Sequence, residues 1–168
     1  SGGSAANTCA GVGAFGGSAG FIGVVEEDQF GKVFAHDLNA IGVKFDTPFA
    51  GGETPTARCL VFVTPDGERT MNTYLGACVE LGAEDIDEAQ VKAAKVTYLE
   101  GYLFDPPRAK EAFYKAAEIA KANGQRVALS LSDAFCVDRH RDDFIKFIKS
   151  NVDVLFANNK FPLSIEPT

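Results

Sequence analysis

The sequence predicts an α/β layer sandwich with a mostly parallel sheet and a small antiparallel β lid. From Asp85 onward, helical stretches alternate with short strand-like runs, an order that implies parallel βαβ units. The runs KVTYLEG, RVALSLS and VDVLFAN are largely apolar, as expected of strands covered on both faces by helices. Earlier in the chain, residues 57–64 and 69–74 read as strands around Pro65-Asp66-Gly67-Glu68, which is turn chemistry, so a hairpin projects as a flap.

The elements follow in order. Gly2 and Gly3 open a turn, because glycine takes dihedrals barred to other residues and lets a ligand approach the main chain closely. Ser4 is placed to cap a helix over residues 5–14, leaving amide donors pointed at whatever docks there. Residues 19–25 (AGFIGVV) predict a strand. Phe30, Val33, Phe34, Leu38 and Ile41 recur at helical spacing, so residues 28–41 predict a helix with Asp28 as N-cap and Gly42 as its stop. AGGE at residues 50–53 is the most flexible stretch by composition. In the second half, residues 86–95, 106–123 and 138–150 predict helices, the middle one closed by Gly124. Residues 96–100, 126–132 and 152–157 predict the strands between them.

A length of 168 residues suits one domain or a large piece of a bigger one. The formal net charge of -7 disfavours a nucleic-acid backbone or an anionic membrane as partner. No apolar run approaches bilayer length, and no signal peptide opens the sequence. Cys9, Cys59, Cys78 and Cys136 form no C-x-x-C pair and read as buried reduced thiols, which makes a cytoplasmic home the default. His36 and His140 keep no metal-ligand spacing to them, so no zinc site is expected.

Gly11-Val12-Gly13-Ala14-Phe15-Gly16 matches G-x-G-x-x-G literally. A dinucleotide fingerprint follows a strand and opens a helix, whereas here a helix precedes the glycines and a strand follows. More telling is the rim beyond the strand ends, where parallel α/β sheets gather ligands. It carries Glu100-Gly101-Tyr102, Ser132-Asp133 with Phe135, and Asn158-Asn159, a set of aromatics, carboxylates and amides suited to a pocket with apolar walls and few polar anchors.

Taken in order, these segments resemble the PfkB carbohydrate kinases of the ribokinase superfamily, and the adenosine kinases within it most closely. GGSAAN resembles the family's first glycine motif, and FIGVVEEDQFG its G-x-x-x-x-D-x-x-G segment. PTARCLVFVTPDGERTMNTYLGA resembles the lid hairpin that adenosine kinases place over the nucleoside. LEGYL, LSDAF and VDVLFANN resemble three later strand ends, and the resemblance runs from Ser1 to about Lys160.

The resemblance implies a ribokinase-like three-layer sandwich. Residues 1–168 would form the acceptor-binding part of one kinase domain, with lid segments at about 18–25 and 44–75. It implies phosphorylation of a hydroxymethyl group on a nucleoside or sugar, with ATP and Mg2+ as cofactors of the whole kinase. Gly3, Ser4 and Asn7 would contact ribose hydroxyls, and the chemistry fits: Gly3 adds no bulk, while Ser4 and Asn7 donate and accept. Cys59, Met71 and Leu75 would cover the base, Tyr102 would stack as a wall, and Phe135 would line the same pocket. The competing role for Cys59, Met71, Leu75 and Phe135 is core packing. Closing the lid would expel water before phosphoryl transfer. The expected partner is a small-molecule nucleoside or sugar, not nucleic acid or a membrane, and an exposed sheet edge would allow a homodimer.

The sequence also departs from the family pattern. The family's G-A-G-D motif, which supplies the aspartate base and an anion hole, does not occur, nor does the upstream strand with a ribose-binding aspartate. Asn158 matches the first position of the family's N-x-x-E in the metal and phosphate region, but Phe161 stands at the glutamate position. Pro162 disfavours helix at Phe161, and Glu166 lies at the wrong spacing to substitute. Phosphoryl transfer rests on positioning and electrostatics around the transferring group, so this chain alone is expected to be inactive. The atypical tail at 161–168 motivates an alternative, a non-catalytic nucleoside-binding or assembly module. Strand 152–157 is expected to have a poorly covered face or edge.

Overall fold

Helix α1 spans Ser4–Ala14 and starts at Gly3, whose φ of 108° is a conformation that L-residues rarely adopt. Ser4 does not cap this helix as expected. It is the first helical residue, and the cap position falls on Gly3, which has no side chain to bond the first amides. Gly11 and Gly13 lie inside α1 and Gly16 in the turn after it, so the literal G-x-G-x-x-G never forms a phosphate loop. The computed structural model describes residues 2–158, so the readings for Asn159, Phe161, Pro162 and Glu166 lie outside the described residues. The chain divides into two compact units, Ser1–Leu81 and Gly82–Thr168.

In the first unit, β1 (Ala19–Gly20) pairs in parallel with β2 (Val43–Lys44). The strand expected over residues 19–25 is cut short because its partner is only two residues long. Beyond it, the Val25 carbonyl accepts from the Ala50 amide at 2.9 Å instead of a ladder partner. Helix α2 (Gln29–Ala40) lies between them, capped by Asp28 as expected. Asp28 Oδ1 accepts from the Gly31 amide at 2.8 Å, and its Oδ2 accepts from the Thr56 amide at 2.9 Å. Gly31 has no alternative: a Cβ there would sit 1.9 Å from the Glu26 carbonyl oxygen. The unit's core joins Ala6, Val25, Leu38, Val43 and Phe45. Around it Phe21, Phe34 and Phe45 form a ring triad with centroids 5.5–5.6 Å apart, which fixes how α2 lies on the short sheet.

Strands β3 (Arg58–Val63) and β4 (Arg69–Tyr74) form the expected antiparallel hairpin, with Val61 opposite Met71 and Cys59 opposite Thr73. Its turn closes through the Thr64 amide to the Glu68 carbonyl at 3.0 Å, with Gly67 at φ 85°. At the hairpin exit, Gly76 takes φ 53° and a Cβ would meet the Pro55 carbonyl at 2.1 Å. Two short 3-10 stretches, Gly76–Glu80 and Ala83–Asp85, follow; they carry no long periodicity to read from sequence.

The second unit holds α3 (Glu88–Ala93), β5 (Val96–Glu100), α4 (Pro107–Ala122), β6 (Arg126–Ser130), α5 (Ala134–Arg139), α6 (Arg141–Asn151) and β7 (Val154–Phe156). Its three strands pair in parallel in the order β5-β6-β7. Buried alanines at 109, 112, 116, 117 and 120 let α4 approach its neighbours closely. Phe104 and Phe144 stack at 3.9 Å between centroids, with Phe113 and Phe147 edge-on to Phe104. The single helix expected at 138–150 is two helices, because the backbone leaves helical geometry at His140 (φ -121°, ψ 27°) and Asp133 caps a separate start. Strand β6 ends two residues early because Ser132 turns to φ 59°. Full cover on both sheet faces does not hold: Phe156 on β7 is 53% exposed. Nor are all four cysteines buried. Only Cys136 is; Cys59 lies on the solvent-bathed hairpin, and Cys9 and Cys78 are half-buried.

Gly31→Ala forces a backbone clash that no rotamer relieves, so it is expected to destabilise by about 2–3 kcal/mol. Phe104→Ala removes the centre of the aromatic core and is expected to cost about 3–5 kcal/mol. Urea unfolding midpoints of the two variants against the parent sequence measure both.

Candidate functional site

Gly3, Ser4 and Asn7 sit together on the first turn of α1. Gly3 and Asn7 are four residues apart and share one side of the helix start, where the Asn7 amide donates to the Gly3 carbonyl at 2.8 Å. The amides ahead of Asn7 have no partner within the helix, as at any helix start. Both Ser4 and Asn7 are exposed, so their polar groups face solvent beside a backbone without a side chain at Gly3. This arrangement offers closely spaced donors and acceptors to a polyhydroxylated ligand.

The hairpin places Cys59, Val61 and Met71 on one face and Leu60, Phe62 and Tyr74 on the other. Every residue of both strands is exposed, Met71 at 66%, and Leu75 just beyond them at 55%. Within this chain, Cys59, Met71 and Leu75 are therefore not packed in a core. Thr73 Oγ1 donates to Cys59 Sγ at 3.2 Å across the strands. A two-stranded ribbon with apolar side chains on both faces is marginal in water by itself. A shallow cleft along α2, lined by Glu27, Lys32, Val33 and His36 among others, includes none of the expected site residues.

In the second unit the carboxyl ends of β5 and β6 meet. Adjacent strands in register, Glu100 beside Ser130, bring the Glu100 and Ser132 side chains together. Tyr98 Oη donates to Glu100 Oε1 at 2.8 Å, and Ser132 Oγ donates to Glu100 Oε2. Glu100 is only 9% exposed, so these hydroxyls replace the water its carboxylate would otherwise hold. The positive φ of Ser132 is what aims its hydroxyl at that carboxylate. Gly101 follows because a Cβ there would meet the Ser130 and Leu131 carbonyls at 2.6 and 2.8 Å. Cys136 Sγ donates to the Gly101 carbonyl at 3.4 Å, and burial, aided by the Asp105 charge, pushes the Cys136 thiol up to about 11.

Tyr102 is 52% exposed and Phe135 74% exposed, so neither is core. Partial burial, followed by the charges of Asp133 and Glu100, raises the Tyr102 hydroxyl above its ordinary value, keeping it a neutral donor. Asp133 is committed to capping α5 through the Cys136 amide at 3.1 Å. Asn158 is exposed beyond the end of β7. The sequence reading missed two participants. Tyr98 was detectable, since residues two apart on a strand share a face with Glu100. Asp105 was not: its partners, Arg139 at 2.6 Å and His140 at 2.8 Å, lie more than thirty residues away. The Arg139 guanidinium, with His140 beside it, holds the Asp105 carboxyl below the usual carboxylate range.

Comparison with known proteins follows the same outline. The chain is 56% identical to adenosine kinase from Sinorhizobium meliloti, with a TM-score of 0.90, over 95% of this chain and 49% of that one. It is 55% identical to a "probable sugar kinase protein" from Rhizobium etli CFN 42, with a TM-score of 0.89, over 95% of this chain and 48% of that one. A "Probable fructokinase-6, chloroplastic" of Arabidopsis thaliana is 33% identical over 130 residues, 73% of this chain and 33% of that protein. The chain thus spans about half the length of the two solved kinases and a third of the plant protein. A family model described as pfkB family carbohydrate kinase matches residues 1–160. The fold, the strand-end rim and that match agree, and the chain belongs to the pfkB family of carbohydrate kinases.

Proposed function

We propose that this chain is the acceptor-binding part of a kinase that transfers the γ-phosphate of ATP to the hydroxymethyl group of adenosine. Gly3, Ser4 and Asn7 hold the ribose hydroxyls, the hairpin with Cys59, Met71 and Leu75 covers the base, and Tyr102 and Phe135 supply aromatic walls. The observation that carries this reading is the hairpin, whose strand residues are all exposed while it bears Val61, Met71 and Leu60. An apolar cover gains from meeting a purine and gains little from a small sugar. Similarity to the Sinorhizobium meliloti adenosine kinase supports it. A sugar acceptor is the second reading, favoured by similarity to the Rhizobium etli and Arabidopsis thaliana proteins.

PfkB kinases use ATP, here with Mg2+. Among the described residues no group of three or more His, Cys, Asp or Glu could hold a metal ion. Mg2+ in such kinases is held largely by waters and substrate phosphates with one or two carboxylates, and Asn158 is the one residue of this chain assigned to the phosphate region. No phosphoryl-transfer step is assigned to this chain. Its contribution is to bind and orient the acceptor and, with the hairpin closed, to keep water from the reacting hydroxymethyl group.

The full-length gene product is expected to phosphorylate adenosine with Mg-ATP, while residues 1–168 alone show no turnover above background. Failure of the full-length protein on adenosine together with turnover of fructose would move the assignment to the sugar reading. Met71→Ala is expected to raise the KM for adenosine roughly tenfold, the worth of removing apolar contact from a pocket wall. If the hairpin instead serves a sugar acceptor, that variant leaves the acceptor KM unchanged in steady-state assays.

A further inference from the structure

The turn that carries Tyr102 is held at both ends by bonds to the segment after β6. Upstream, Ser132 bonds Glu100 and Cys136 Sγ bonds the Gly101 carbonyl. Downstream, Asp105 follows the 3-10 turn Gly101–Phe104 and precedes Pro106, the N-cap of α4. Its carboxylate takes both arms of one guanidinium: Arg139 Nε donates to Oδ1 at 3.1 Å and Nη2 to Oδ2 at 2.6 Å. His140 Nε2 lies 2.8 Å from Oδ1. Arg139 is the last residue of α5, the helix that carries Phe135, and His140 is the junction where α5 breaks from α6. A single carboxylate thus joins the loop after β5 to the helix pair after β6.

Tyr102 and Phe135 are both exposed, so packing does not hold their side chains in place and their positions follow from their backbones. The ion pair itself is about half-exposed on both sides. Exposed pairs contribute little to global stability, but a bidentate fork fixes geometry tightly. We propose that Asp105 is a positioning residue for acceptor binding: by clamping Arg139 and His140 it sets the Tyr102 turn relative to the Phe135 helix. This rests on the reading of Tyr102 and Phe135 as acceptor walls.

The test uses the full-length kinase carrying Asp105→Asn, Asp105→Glu, Arg139→Gln, Tyr102→Ala or Phe135→Ala. Asp105→Asn and Arg139→Gln are each expected to raise the acceptor KM about tenfold, in line with the sensitivity of bound geometry to small displacements. The kcat and the KM for ATP stay within about twofold, and the melting temperature shifts by less than about 4 °C. Amide exchange, followed by mass spectrometry, accelerates about tenfold in both 101–104 and 134–139, although Arg139→Gln alters only one of them. Asp105→Glu, which keeps the charge, recovers most of the acceptor KM. Exchange that quickens in neither segment, or only in the one bearing the substitution, overturns the clamp. Coupled exchange with an unchanged acceptor KM, while Tyr102→Ala raises it, overturns the positioning role and leaves the proposed function standing. An acceptor KM that moves for neither Tyr102→Ala nor Phe135→Ala overturns the wall assignment of the proposed function, and the positioning role with it.

Discussion

The Asp28 carboxylate is the joint on which the first unit turns. One oxygen closes the start of α2 through the Gly31 amide, and the other holds the Thr56 amide at the approach to the hairpin. Partial burial alone would push its carboxyl up. Hydrogen bonds from Gly31 and Thr56 and the Arg58 charge outweigh that and hold it below the usual carboxylate range. Thr56 completes the joint by accepting from the Glu26 amide at 3.0 Å. Gly31 must be glycine because the Glu26 carbonyl and the Thr56 hydroxyl leave no room for a Cβ. The exposed ribbon has no core of its own, so its root depends on this polar joint and on the Gly76 contact with Pro55.

The second unit solves a different problem. A parallel sheet ends in a rim where backbone groups lose their ladder partners, and two loops must be shaped there. The buried Glu100 takes the hydroxyls of Tyr98 and Ser132, which places a charge beneath the rim without leaving it unpaired. Ser132 accepts an uncommon backbone conformation to do so. Tyr102 and Phe135 stay in water, while Phe104, Phe113, Phe144 and Phe147 form the interior. Aromatic rings are thus divided between interior and surface within one unit. Phe104 and Tyr102, two residues apart on the same turn, fall on opposite sides of that division.

Local chemistry made much of this legible beforehand. The Asp28 cap, the hairpin with its Asp66-Gly67 turn, β5 and α4 all lie where periodicity and turn residues place them. The family was readable because short motifs tied to backbone demands recur in a fixed order. Readings that failed did so for tertiary reasons. Ser4 lost the cap to Gly3 because the entering chain takes a positive φ one residue earlier. The strand at 19–25 shrank because a ladder is only as long as its partner. The helix at 138–150 divided because Asp133 offered a second cap and the backbone breaks at His140, the residue beside Asp105.

By itself the sequence determined the order of the strands and of most helices, the projecting hairpin and the rim on which polar and aromatic residues gather. These depend on spacing and on interactions between residues near in the chain. Only the tertiary structure decided which candidates are core and which face water, because burial is a property of what packs alongside. Composition suggested that Cys59, Met71 and Phe135 could serve as packing groups; within this chain they are exposed. The Asp105–Arg139 pair was equally out of reach, since a contact spanning 34 residues follows from where two loops end after the strands have aligned.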